Sequence, residues 1–243
     1  DSVLGNGRAV ESVYPLTYLQ QGMLFHAVME ADAAHYVTQA HWTFYASKFN
    51  EASLRAKWLH LMLRYPILRT SFVWQNLSSP LQIVWKADAV ELPWTTLDLR
   101  AVSLADAQAS LQTLLTNDRQ QPFQVHKAPL MRCYAVYMPG NEEVEFIWTH
   151  HHMYLDGWSM AIVLKELFDP IMHNTPTPTY QSYVAWLKQQ DMEKAQSFWR
   201  ARLQGFSAHT PLPMAVAAPT SGDNDHAYFK EVQRASIADT QRL

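Results

Sequence analysis

Three consecutive histidines, His150, His151 and His152, close an apolar run, and Asp156 and Gly157 follow them after a short interval. An imidazole can give or take a proton near neutral pH, a carboxylate can orient it or bind a cation, and glycine admits close approach to the backbone. If the run is a strand, alternation puts His150 and His152 on one face and His151 on the other. Three readings fit these residue types. The histidines can be buried groups satisfying hydrogen bonds, which is the ordinary case for a lone histidine. His150, His152 and Asp156 can ligate a metal, although no further His, Asp or Glu stands at a recognisable ligand spacing. Or one imidazole acts as acid, base or hydrogen-bonding group in acyl transfer, with Asp156 holding the turn. Three adjacent histidines before Asp-Gly weigh against the first reading. Residue chemistry leaves the other two close.

The elements that must position these residues can be read from periodicity and caps. Strands are expected over Met131–Met138 and Val144–Thr149, joined by the turn Pro139-Gly140-Asn141-Glu142. A helix over Ser159–Phe168 should follow and stop at Pro170. Upstream, Thr17 can cap a helix in which Leu19, Met23 and Leu24 share a face, His35–Tyr45 reads as a strand, and Asn50 can cap a helix reaching Arg64. Ser71–Trp74 and Leu81–Trp85 look like paired strands, and Ser103 can cap a helix over Leu104–Leu115. Downstream, an extended connector Thr175–Thr179 precedes a long helix pattern, Tyr180–Leu203, closed by Gly205. Residues 207–225 are loop-like, Tyr228–Ile237 reads as a strand, and Ala238–Leu243 opens a helix. The class is α/β of the α+β type, with antiparallel hairpins among helices.

Composition narrows the function classes. Apolar residues make up 48% and charged residues 17%, which excludes a disordered chain. The net charge of −3 gives no basic footprint for nucleic acid. No run approaches the roughly 20 apolar residues that cross a bilayer. With Cys133 as the single cysteine there is no disulfide framework or thiolate zinc cage, and a cytoplasmic protein is the default expectation. No nucleophile elbow, phosphate-binding glycine loop or dinucleotide fingerprint appears.

The tract His151-His152-Met153-Tyr154-Leu155-Asp156-Gly157 matches the HHxxxDG signature of the condensation-domain superfamily of nonribosomal peptide synthetases. Other segments match in the same order. Tyr14 to His26 is similar to the family's opening motif. Arg64 to Phe72 resembles its RHxxLRTxF segment, with Tyr65 in place of the usual histidine. Pro122-Phe123 with Ala128-Pro129-Leu130-Met131-Arg132 resembles the approach to the histidine strand, and Tyr180–Leu203 the helix that follows. Heterocyclisation domains carry an aspartate-based motif instead. The run Trp158-Ser159-Met160-Ala161-Ile162-Val163 resembles condensation domains more than epimerisation domains.

This resemblance implies a chloramphenicol-acetyltransferase-like lobe, with a mixed, largely antiparallel sheet flanked by helices. Residues 1–13 would be an upstream linker, 14–205 the N-terminal lobe, and 206–243 a crossover and the start of a second lobe whose core lies beyond Leu243. The implied reaction is peptide-bond formation between thioesters carried on phosphopantetheine arms. The partners would be an upstream donor and a downstream acceptor peptidyl carrier domain, beside an adenylation domain. No directly bound cofactor, metal, nucleic acid or membrane is implied. By position, His152 is the reacting histidine and His151 the first of the motif. Asp156 would hold the loop through a salt bridge to Arg64 or Arg69, and Gly157 would border the tunnel. Gln20, His26, Trp158 and Ser159 are candidate tunnel-lining residues, and Trp186, Phe198 and Trp199 candidate core or lobe contacts. Related alternatives are an epimerisation domain, another HHxxxDG acyltransferase, or a catalytically silent carrier-docking module.

Overall fold

The structure, a computed structural model, describes residues 9–30, 33–169 and 175–208. The chain divides into two compact units, Asp1–Gln190 and Asp191–Leu243. The first holds β1 (Val10–Pro15), α1 (Tyr18–Met29), β2 (Val37–Tyr45), α2 (Glu51–Arg64), β3 (Thr70–Val73), β4 (Leu81–Trp85), β5 (Trp94–Asp98), α3 (Leu104–Gln120), β6 (Met131–Tyr137), β7 (Glu143–His151), α4 (Gly157–Phe168) and α5 (Tyr180–Leu187). The described part of the second unit carries α6 (Met192–Arg202).

Caps set the helix starts. Thr17 forms a capping box with Gln20, while Asn50 and Ser103 accept the amides of Ser53 and Asp106. The strands form two sheets, β1-β4-β3 and β2-β7-β6-β5. All pairs are antiparallel except β5–β6, which run parallel with α3 as the crossover.

Within the four-stranded sheet β7 is buried on both faces. Phe146 and Trp148 pack into the cluster that holds Trp58, Leu61 and Met62 of α2 and Val163 and Leu167 of α4. Ile147 faces the other way, into the cluster with Ala107, Leu111 and Leu115 of α3. A strand covered on both faces carries apolar side chains at successive positions, which is why Phe146-Ile147-Trp148 stands out in the sequence. No helix among the described residues is long and apolar enough to cross a membrane.

Four expectations change. β1 begins at Val10, inside the stretch read as linker, and pairs with β4 from Trp85 onward. β5 is an addition to the expected strands, because its exposed Thr95 and Thr96 give it no apolar run. The long helix over Tyr180–Leu203 is two helices: α5 ends at Leu187, and Asp191 starts α6 by accepting the Lys194 amide at 2.8 Å. An Asp side chain competes for backbone donors, so it favours a new cap over a continuous helix. Trp186, Phe198 and Trp199 are exposed, not core. Pro170, the strand expected over 228–237 and the helix start at 238–243 lie outside the described residues.

Candidate active site at the histidine turn

β7 runs between β2 and β6, so its end is gripped from both sides. The His151 amide donates to the Leu130 carbonyl at 3.0 Å, and the His152 amide donates to the Tyr36 carbonyl at 2.8 Å. The chain then turns, with the Tyr154 amide donating back to the His151 carbonyl at 3.0 Å. Met153, Tyr154 and Leu155 are all buried, anchoring the turn in the core. The Tyr154 hydroxyl accepts the Leu130 amide at 2.9 Å and donates to the Thr70 carbonyl, and burial holds this phenol well above its ordinary pKa. From α1, the Gln20 amide donates to the Met153 carbonyl at 3.3 Å while its oxygen accepts from Gln82 at 3.1 Å.

The three imidazoles differ in what they can do. His150 is fully buried, stacked on Trp148 with centroids 4.3 Å apart, and its Nδ1 has no hydrogen-bond partner. Burial, with His152 and His151 beside it, pushes its pKa down to about 3. His151 is also buried; its Nδ1 accepts the Met153 amide at 3.1 Å, and its ring meets Phe123 edge-on at 6.3 Å. Burial and the neighbouring His152 lower its pKa to about 4. Both are held neutral by desolvation.

His152 is half-buried and lies past the end of β7, so strand alternation no longer pairs it with His150. Its Nδ1 lies 2.5 Å from the Leu155 carbonyl oxygen. A carbonyl oxygen can only accept, so Nδ1 carries the hydrogen, and in the neutral ring Nε2 holds the lone pair. Nε2 has no hydrogen-bond partner among the described residues. This is the one imidazole of the tract set up to take a proton. Among the described residues no group of His, Cys, Asp and Glu is gathered to hold a metal ion.

The expected Asp156–arginine salt bridge is not formed. Asp156 is exposed and caps α4: its carboxylate accepts the Ser159 amide at 2.8 Å, and the Ser159 hydroxyl accepts the Asp156 amide at 2.8 Å. The Ser159 hydroxyl and amide hold its carboxyl below the ordinary carboxylate range. Both arginines are engaged elsewhere. Arg64 pairs with Glu166 of α4 at 3.0 Å and donates to the Thr175 carbonyl. Arg69 is buried, pairs with Glu11 at 2.7 Å, and donates to the Met62 carbonyl at 2.7 Å and to that of Trp85. The capping amide and hydroxyl thus do for Asp156 what a guanidinium was expected to do. Tyr65, in place of the family's usual histidine, donates its hydroxyl to Glu166 at 2.7 Å.

The remaining expected residues scatter. Gln20 is buried and supports the turn from beneath, whereas His26 is exposed with its ring 6.1 Å from that of Tyr36. Trp158 is 85% exposed. A Cβ on Gly157 would meet nothing within 4 Å, so nothing in the described chain demands a glycine there.

Three residues near the tract were not singled out as site residues from the sequence. Tyr36 and Phe123 flank the His151 ring at 6.2 and 6.3 Å. The buried Asp118 of α3 accepts from Gln39 at 2.8 Å, Arg132 at 2.6 Å and Tyr134 at 3.0 Å, and from the Thr149 hydroxyl. It joins four elements beneath the histidines. These residues come from separate segments, so no spacing marks them. Phe123 also walls a cavity of about 890 Å³ with Val28, Trp74 and His126, and among the described residues its lining contains no Asp, Glu, Lys or Arg.

Solved structures define the class of fold. The starter condensation domain of rhizomide synthetase matches with a TM-score of 0.65 at 17% identity, over 79% of this chain and 50% of that one. A four-domain nonribosomal peptide synthetase bound to AMP and glycine matches with a TM-score of 0.63 at 22% identity, over 80% of this chain and 15% of that one. The sequence profile of the Condensation domain covers residues 10–239. The chain belongs to the condensation-domain family. One of the linear gramicidin synthase polypeptides of Brevibacillus parabrevis is 40% identical over 100% of this chain and 5% of its own length. Bacitracin synthase 3 of Bacillus licheniformis is 31% identical over 89% of this chain and 4% of its own length. The chain therefore spans a small part of these relatives and about half of the solved starter domain.

Proposed function

We propose that this chain supplies the histidine-bearing lobe of a domain that forms amide bonds between carrier-tethered acyl groups in nonribosomal peptide synthesis. The observation that carries the proposal is the tautomer of His152: Nδ1–H is committed to the Leu155 carbonyl, which leaves Nε2 as an unpartnered base. In the reaction, the acceptor α-amine attacks the donor thioester carbonyl. The new C–N bond forms, the C–S bond breaks, the amine loses a proton and the departing sulfur gains one. Nε2 is suited to take the amine proton, or to orient the amine by accepting its hydrogen bond. His150 and His151 would serve as its neutral, buried support.

The acyl groups would arrive on phosphopantetheine arms of an upstream donor and a downstream acceptor carrier domain, with an adenylation domain adjacent in the same assembly. Gly157, which nothing in the described chain crowds, would leave space for an arm to pass. A cytoplasmic setting fits these partners.

The test is direct. The full-length domain, incubated with donor- and acceptor-loaded carrier proteins, should yield a dipeptidyl thioester visible by intact-protein mass spectrometry. Epimerised but uncondensed substrate would point to an epimerase. Carrier binding with no product would point to a docking module.

A further inference from the structure

The connection from α1 to β2 ends on a residue with an unusual backbone. Tyr36 has φ 60°, in the left-handed region that bulky L-residues rarely adopt. Such a conformation lasts only where its surroundings over-determine it. Here they do so from several directions. His35 and Glu30, at the two ends of the connection, meet at 2.5 Å. The Tyr36 ring lies 6.1 Å from His26 and 6.2 Å from His151. The next residue, Val37, is already in register opposite His151.

This conformation delivers one bond. The β2–β7 ladder ends at the Val37–His151 pair, and the Tyr36 carbonyl adds a further contact by accepting the His152 amide at 2.8 Å. The backbone of the reacting histidine is thereby tied to the sheet, while the Tyr36 ring braces the histidine before it. We propose that Tyr36 is a positioning residue for condensation: its left-handed backbone aims a carbonyl at the His152 amide and so fixes where Nε2 sits. The inference rests on the role proposed above for His152.

The test compares substitutions that remove the ring alike but differ in backbone preference. In the full-length domain, Tyr36→Gly keeps the left-handed region open, whereas the β-branched Tyr36→Val closes it. The cost of that region for an L-residue corresponds to about tenfold in rate, so kcat should be about tenfold higher for Tyr36→Gly than for Tyr36→Val. The KM values for loaded acceptor carrier should agree between the two, because positioning acts on the chemical step. Equal kcat values in two folded variants, or a difference confined to KM, overturn the proposal. If Tyr36→Val does not fold, Tyr36→Ala takes its place with the same expected order. His152→Ala, run in parallel, separates the two layers: undiminished product from it removes the underlying reading, whatever Tyr36 does.

Discussion

The imidazole of His152 donates from Nδ1 to the carbonyl of Leu155, three residues further along the same turn, at 2.5 Å. The bond is local, within a turn that the buried Met153, Tyr154 and Leu155 anchor in the core. Its consequence is chemical, because it decides which ring nitrogen can accept a proton.

Replacing His152 by alanine should therefore remove the base without unfolding the domain. General base catalysis contributes about 10²–10⁴-fold, so dipeptidyl thioester formation should fall by at least about 100-fold. The thermal midpoint should stay close to wild type. Wild-type turnover by a folded variant would exclude the assignment.

Asp156→Ala should behave as a lost helix cap and not as a broken buried ion pair. The first costs about 1 kcal/mol; the second would cost about 3–5 kcal/mol. Urea unfolding distinguishes the two, and Asp156→Asn should recover most of the stability, since asparagine caps as well as aspartate.

The buried histidines predict acid sensitivity. His150 and His151 titrate at about 3 and about 4 in the folded chain, against 6.5 for an unperturbed histidine. Between those limits the unfolded chain binds more protons than the folded one, so stability is complete above about pH 6.5 and falls as pH drops toward 4. Each histidine contributes a slope of about 1.4 kcal/mol per pH unit once the unfolded form is fully protonated. Denaturant melts at pH 7.5 and 5 should show this, and His150→Phe should shed one histidine's share of the slope. An unchanged slope in that variant would count against a neutral buried His150.

Asp118→Asn should destabilise the fold severely. The carboxylate takes four donors from β2, β6 and β7, and the amide would turn an NH₂ toward one of them and leave Arg132 without its counter-charge. Breaking such a pair from one side costs about 3–5 kcal/mol. A loss below about 1 kcal/mol in urea unfolding would show that the network carries little, as exposed pairs do.

Much of the fold was legible because burial leaves a pattern along the chain. The middle of β7, Phe146-Ile147-Trp148, is apolar on both faces since α2 and α4 cover one side and α3 the other. Thr17, Asn50 and Ser103 announce their helices because a capping side chain acts within three residues of its own position. What failed lacked such a local signature. β5 is mostly exposed outside its pairing with β6, and the break between α5 and α6 turns on the single side chain of Asp191.

The histidine tract, its Asp-Gly continuation and the family they mark are properties of the linear order, because the turn that shapes them spans only a few residues. The tertiary structure alone assigned the long-range charges and supports: Arg64 to Glu166, Arg69 to Glu11, Asp118 to Arg132, and Tyr36 to the amide of His152. Ion pairs and hydrogen bonds between distant segments depend on which side chains the sheet register brings within about 3 Å of each other. No spacing in the sequence encodes that distance, and each arginine near the motif had more than one carboxylate it could have met.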